Sequence, residues 1–283
     1  MKDLYGNDDI EAMYRAALAM PLDAKIEQAV TVIRSHESIA IQMSSDGFYN
    51  CNSGGKDSGV TGRLMEMAGV RHESHYSNVT IDPPELVHHL KRTYPDTIWH
   101  SVGIPLPLYM AKKAIGPPTR NCRWCCEIYK ENGGNGSFKV VGVRADESAR
   151  RKGLWRQIRH DPAKSSIMLS PILYWTEKDV WEFTHGENIP YCELYDEGFK
   201  RLGCVGCPLA GPVHQRMEFA RWPKYELLWQ RGFRAHWDRY KDQMRRDGTE
   251  RWSNFKTWED LWEWWLGEYV EESTQPDCQM FLW

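Results

Sequence analysis

The stretch NCNSGGKDSGV, residues 50–60, constrains this 283-residue chain more than any other. It follows a short aromatic run, DGFYNCN (46–52), whose composition predicts a β-strand. After it, Val60, Leu64, Met65 and Met67–Ala68 recur with helical spacing up to Gly69, where the helix is expected to stop. A glycine turn between strand and helix is a demanding arrangement. Glycine allows positive φ and close approach of a ligand, and successive backbone N–H groups form an anion-binding nest. The following helix adds the positive end of its dipole. Ser53, Gly54, Gly55, Ser58 and the side chain of Lys56 are therefore expected to cradle a pyrophosphate, and Asp57 to help hold Mg²⁺ or to cap the helix. The pattern is neither GxxxxGK[ST] nor GxGxxG, which argues against a Walker-type NTPase and against a dinucleotide fold.

The rest of the chain supplies partners for that unit. Helical spacing is present over 8–19 and 22–35. RHESHYSNVT (71–80), DTIWHSVG (96–103) and FKVVGVRA (138–145) read as further strands, with PPELVHHLKRTYP (83–95) as an intervening helix that opens on proline. Strands alternating with helices predict an α/β fold, a twisted and mostly parallel sheet flanked by helices. Residues 116–137 read as a long functional loop, and Thr176 with Asp179 as a helix-start box. From 213 onward the pattern is helical and rich in tryptophan. This divides the chain into N-terminal helices (1–36), a nucleotide-binding domain (37–212) and a helical C-terminal extension (213–283).

A net charge of −3 does not advertise direct nucleic-acid binding. No apolar run approaches the ~20 residues needed to span a bilayer, and the first residues lack the pattern of a secretory signal, so a cytoplasmic protein is expected. In that compartment thiols stay reduced, and five of the eight cysteines fall in two groups, CRWCC (122–126) and CVGC (204–207). Two thiolate pairs from distant segments suit a tetrahedral Zn²⁺ or a [4Fe–4S] cluster. The ligands are Cys125, Cys126, Cys204 and Cys207, or Cys122 with Cys125 as a CxxC on the first segment.

At this point a resemblance becomes specific. SGGKDS is similar to the PP-loop of the adenine nucleotide α-hydrolase superfamily, whose members split ATP between the α and β phosphates. The CC pair, a lysine four residues on and a distant CxxC resemble the iron–sulfur PAPS/APS reductase family, as do VGVRADESARR (141–151) and LYDEGFKRLGCVGCP (194–208). The resemblance implies a Rossmann-like PP-loop fold with ATP at the carboxyl ends of the strands. It implies that Lys130 lies near the cluster, that Arg144, Arg150 and Arg151 hold nucleotide phosphate or sulfate, and that Glu147 orients an arginine. Together with Lys56 and Asp57, Lys130 and Arg144 are the expected catalytic residues. The cluster loop and the CxxC segment must converge.

Two activities follow from it. An ATP pyrophosphatase, similar to the iron–sulfur subunit of DNA phosphorothioation systems, would activate an acceptor for sulfur transfer. A cysteine desulfurase is then the expected sulfur donor, and a nucleic acid the acceptor, reached through partner subunits. The complete PP-loop favours this reading. The alternative is a sulfonucleotide reductase that makes sulfite; such enzymes end in a Glu-Cys-Gly context, whereas this tail reads QPDCQMFLW around Cys278. A nucleotide-sensing scaffold with a structural metal is the non-enzymatic option. His88 and His89 are adjacent and so do not form an i, i+4 ligand pair, and Cys51 and Cys192 read as small buried apolar residues.

Overall fold

The periodicities become helices at Asn7–Ala19 (α1), Leu22–Ser35 (α2) and Glu37–Met43 (α3), followed by strand Phe48–Cys51 (β1) and helix Lys56–Ala68 (α4). Next come His72–Asn78 (β2), Pro84–Thr93 (α5), Ile98–Ser101 (β3), Leu106–Tyr109 (α6) and Trp124–Tyr129 (α7). Phe138–Val140 (β4), Ala149–Leu154 (α8), Ile158–Asp161 (β5), Ser166–Leu169 (β6) and Glu177–Gly186 (α9) complete the sheet region. The last helices are Pro212–Arg221 (α10), Pro223–Tyr240 (α11) and Trp258–Trp265 (α12). The structure is a computed structural model that describes residues 7–154, 156–245 and 248–267.

The six strands form one sheet in the order β3-β2-β1-β4-β6-β5. β1 pairs in parallel with β2 and with β4, and β4 in parallel with β6, while β5 returns antiparallel on β6. Phe48 and Phe138, on adjacent parallel strands, meet edge to face with ring centroids 5.1 Å apart. Both are essentially fully buried, and each such side chain contributes about 1.5–3 kcal/mol. Around them the core gathers Ile33 of α2, Val60, Leu64 and Met65 of α4, and Val180 and Phe183 of α9. α4 ends as its sequence requires, with Gly69 in the left-handed region at φ 66° and its N–H on the carbonyl of Glu66. α9 opens on the expected box: Thr176 accepts from the Asp179 N–H, and the Asp179 carboxylate accepts from the Thr176 N–H at 2.7 Å.

The chain folds as two compact units, neither of them a continuous segment. The first comprises Met1–Tyr76, Pro84–His100 and Gly133–Arg201, and holds the glycine turn and the arginine segment. The second comprises Ser77–Pro83, Ser101–Asn132 and Leu202–Trp283, and holds both cysteine groups together with the tryptophan-rich helices. Its core is aromatic: Phe233 lies 5.1 Å from Trp262 and 5.2 Å from Trp265, and Trp229 lies 4.8 Å from Trp265. Leu261 and Trp265 of α12 are buried. Among the described residues no helix is long and apolar enough to cross a membrane.

Candidate functional site

In the first unit the strand order reverses direction between β1 and β4, and open α/β sheets bind ligands at the carboxyl ends of strands beside such a switch point. The glycine turn leaves β1 there and the arginine segment leaves β4. Asn52, buried, accepts from the Gly54 N–H at 2.9 Å and so starts the turn. Gly54 follows at φ 73°, where a Cβ would stand 2.6 Å from Leu90 Cγ and 2.9 Å from Leu86 Cδ1. The Ser58 hydroxyl donates to the Gly55 carbonyl at 2.8 Å and accepts from the Ser53 N–H at 3.2 Å, closing the turn on the first coil of α4. The cap residue of α4 is Gly55, which has no side chain with which to cap that end. Asp57 therefore does not cap the helix; it sits in the first turn and faces arginine instead.

Two buried cations share this end of the sheet. Lys56 is 6% exposed, with its ammonium 3.3 Å from the Lys200 carbonyl, 3.6 Å from Asp57 and 3.7 Å from Glu177. Arg144 is 4% exposed, and its Nε donates to Asp57 Oδ1 at 2.5 Å. Its Nη1 is buried with no hydrogen bond, 3.6 Å from the Asp146 carboxylate. Glu147 accepts from the Arg144 backbone N–H at 3.2 Å and pairs with the Arg151 guanidinium. Burial holds the Arg151 guanidinium below its ordinary range despite Glu147. Arg150 lies on α8 with its side chain outside the described residues.

Tyr195 is a residue that sequence reasoning passed over. Its hydroxyl accepts from the Lys56 backbone N–H at 3.1 Å, its ring lies 5.1 Å from the Lys56 ammonium, and burial pushes its phenol well above the usual range. Trp181 flanks the same ammonium at 5.9 Å and packs edge to face on Tyr195. Both belong to stretches already singled out, LYDEGFKRLGC and the helix after TEKD, but nothing in their local spacing reveals a ring turned toward the turn.

The second unit brings the two cysteine groups within electrostatic reach of one another. Cys125 and Cys126 lie on α7, and Lys130 caps its end. Cys125, Cys126, Cys204 and Cys207 are all free thiols and all half-buried. A hydrogen bond from Cys125 lowers the Cys126 thiol to about 5 against the effect of burial, with Arg123, whose Nη2 is 3.3 Å from the sulfur, and Lys130 adding to it. Cys125 is pushed far up by that same bond, by burial and by the charges of Cys126, Cys204 and Cys207. Burial raises Cys204 to about 12, offset in part by Lys130, which hydrogen-bonds it. The Lys130 ammonium is held as a cation by Cys204 above all, against burial, with help from Asp82 and Cys126. The residue as a whole stays exposed even though its head group turns inward to the sulfur.

Four free thiols ringed by Arg123 and Lys130 form a soft donor set whose negative charge is partly offset, which fits a thiolate-held iron–sulfur cluster or zinc rather than a hard cation. Among the described residues no group of three or more His, Cys, Asp or Glu is arranged to hold a metal ion. Cys122 is buried and disulfide-bonded, and Cys278 lies outside the described residues. Cys192 is buried, whereas Cys51 is only partly so.

Residues 49–210, more than half of the chain, match the family described as the phosphoadenosine phosphosulfate reductase domain. An uncharacterized protein of Methanocaldococcus jannaschii is 31% identical over 163 residues, 54% of this chain and 32% of the relative. The adenosine 5′-phosphosulfate reductase of Anoxybacillus flavithermus is 27% identical over 146 residues, 49% of this chain and 61% of that enzyme. The matches thus span less than two thirds of these curated relatives. A phosphoadenylyl-sulfate reductase structure from Candida auris, in a phosphate complex, is 12% identical at a TM-score of 0.46, covering 72% of this chain and 98% of that one. With the glycine turn, the arginine segment and both cysteine groups all inside or at the edges of the matched span, the chain belongs to the phosphoadenosine phosphosulfate reductase domain family of the PP-loop superfamily.

Proposed function

We propose that this protein is an ATP pyrophosphatase that cleaves ATP between the α and β phosphates and so activates an acceptor for sulfur transfer. The observation that carries the reading is at the glycine turn: two buried cations, Lys56 and Arg144, stand at the start of α4, and Arg144 Nη1 makes no hydrogen bond. A buried donor without a partner costs about 1–3 kcal/mol. A polyphosphate supplies the missing acceptors.

In this reading an acceptor oxygen attacks the α-phosphorus, the bond to the bridging oxygen breaks, and pyrophosphate departs with the electron pair. Backbone N–H groups of Gly55 to Ser58 and the Lys56 ammonium meet the charge that develops on the leaving group. Arg144 and Arg151, held by Asp57 and Glu147, orient the phosphates through planar guanidinium forks. Arg150 joins them on the same segment. Tyr195 yields the Lys56 N–H to a phosphate oxygen. A sulfur nucleophile, drawn from a donor such as a cysteine desulfurase, then displaces AMP from the activated acceptor. A nucleic acid brought by partner subunits is the proposed acceptor, because the chain itself carries a net charge of −3.

Mg²⁺ held by Asp57 and the phosphates would supply further neutralisation of the leaving group. Cys125, Cys126, Cys204 and Cys207 would hold a [4Fe–4S] cluster, which supplies thiophilic and one-electron chemistry, with Zn²⁺ as the alternative occupant; Cys122, as a disulfide sulfur, does not serve as the alternative ligand. Lys130 keeps a cation at that site.

A second reading is favoured by curated relatives named adenosine 5′-phosphosulfate reductase. There the same cations hold a sulfonucleotide, and the product is sulfite. Product analysis separates the two. Purified protein with Mg²⁺ and ATP is expected to yield pyrophosphate once an acceptor is supplied, and an equal amount of AMP once the sulfur donor is added as well. Sulfite release from adenylylsulfate or its 3′-phosphate with thioredoxin, and no pyrophosphate from ATP, would replace the first reading by the second.

A further inference from the structure

The tryptophan-rich helices lie beyond residue 210, where the family match ends. The backbone between Cys204 and Cys207 gives them a task. That turn is closed by the Cys207 N–H on the Cys204 carbonyl at 3.2 Å, with Gly206 at φ 76°. Val205 and Gly206 are both buried, so their four polar backbone groups need partners. The Val205 N–H donates to the Ile81 carbonyl at 2.8 Å. The other three go to side chains of the extension. The Val205 carbonyl accepts from Trp229 Nε1 at 3.0 Å, and the Gly206 carbonyl accepts from Gln215 Nε2 at 3.0 Å. The Gly206 N–H donates to Glu218 Oε2 at 2.7 Å.

Gln215 and Glu218 stand three residues apart on α10, on the same face, and so grip both polar groups of one residue. Both are buried, at 1% and 7% exposed. Burying a carboxylate is unfavourable unless strong hydrogen bonds compensate it, and the His214 ring lies 3.3 Å from Glu218 Oε1. Nor is there room for slack: a Cβ on Gly206 would stand 2.4 Å from Phe219 Cζ and 2.9 Å from Trp229 Nε1. Tyr225 of α11 adds a further tie, donating to the Asp82 carbonyl at 2.8 Å.

We infer that the extension is a working part of the cysteine site, and that Glu218, with Gln215 and Trp229, is the positioning residue that sets the separation and direction of Cys204 and Cys207. This rests on the reading of the four cysteines as ligands, and two independent readouts keep the two ideas apart. The first uses metal-free full-length protein. Alkylation rates of the individual cysteines, followed by mass spectrometry, are expected to rise at least tenfold for Cys204 and Cys207 in Glu218→Ala, while Cys125 and Cys126 change little. Glu218→Gln, which keeps an acceptor oxygen, is expected to stay near wild type, and an unchanged far-UV circular dichroism spectrum shows that the fold persists. Trp229→Phe keeps an aromatic ring, though a smaller one, but loses the N–H, and is expected to fall between them.

The second readout is metal retention. After anaerobic preparation, Glu218→Ala is expected to lose bound iron to a chelator at least tenfold faster than wild type, and Glu218→Gln at nearly the wild-type rate. Wild type that binds neither iron nor zinc overturns the ligand reading, and the alkylation pattern alone then decides the positioning role. Glu218→Ala with wild-type alkylation at Cys204 and Cys207 overturns the inference, whatever the metal content.

Discussion

Substituting Gly54 by alanine tests the glycine turn as a piece of architecture. At φ 73° an alanine is in the left-handed region, which costs an L-residue roughly 1–2 kcal/mol. Its methyl would also stand 2.6 Å from Leu90 Cγ, 2.9 Å from Leu86 Cδ1 and 3.0 Å from Leu90 Cδ1. Both leucines are buried on α5, Leu90 completely, so they have nowhere to go. Overpacking of that kind costs about 1–3 kcal/mol, and the lower freedom of alanine in the unfolded chain returns about 0.4–1 kcal/mol. Gly54→Ala is therefore expected to lose about 2–4 kcal/mol of stability by these terms. Urea denaturation followed by tryptophan fluorescence measures it. Leu90→Ala alone should cost about 2–5 kcal/mol for its cavity. Because Leu90→Ala removes the atoms that the introduced methyl would meet most closely, the double variant should be more stable than the sum of the two changes predicts by at least about 1 kcal/mol. A Gly54→Ala protein as stable as wild type, or a pair whose effects simply add, refutes the packing argument.

Two further perturbations follow from buried charge. Lys25, 3% exposed, hydrogen-bonds Asp179 at 2.7 Å. Asp179→Ala removes both the start of α9 and the lysine's partner, and is expected to destabilise the chain by about 3–5 kcal/mol in the same denaturation assay. Burial alone would raise the Asp179 carboxyl, but Lys25 and Thr176 outweigh it and hold the group below its ordinary value. Its contribution is thus present above the ordinary carboxylate range near pH 4 and disappears as pH falls through the lower folded value. His236 behaves as a base with the opposite bias: burial lowers it from 6.5 to about 4. The unfolded chain takes up the proton first, so stability is expected to fall by about 3 kcal/mol as pH drops from 6.5 to 4. The His236→Gln variant should show a correspondingly flatter profile over that interval, and an unchanged slope would remove this explanation.

The first unit is the more legible in sequence because its signals are local. DGFYNCN, SGGKDSG and the spacing up to Gly69 each fix a strand, a turn and a helix within a few residues of themselves, and the box at Thr176 does the same for α9. β5 and β6 escape notice. Ile158–Asp161 is an edge strand in which Arg159, His160 and Asp161 follow one apolar residue, and Ser166–Leu169 is an apolar run without alternation. Within 116–137, read as a loop, α7 is a single short helical stretch that carries both cysteines of the CC pair. At the candidate site the charged residues are readable because their motif is compact. Tyr195 and Glu218 are not. Each acts on a backbone amide supplied by another segment, and neither contact leaves a pattern in the residues around it.

The claim on which the functional reading depends is that the turn from Ser53 to Ser58 grips the phosphates that ATP gives up. Isothermal titration of the full chain with ATP in the presence of Mg²⁺ tests it most directly. Saturable binding is expected, displaced by added pyrophosphate and weakened at least tenfold in Lys56→Ala. No binding, or binding that neither pyrophosphate nor the loss of the Lys56 ammonium affects, would contradict it.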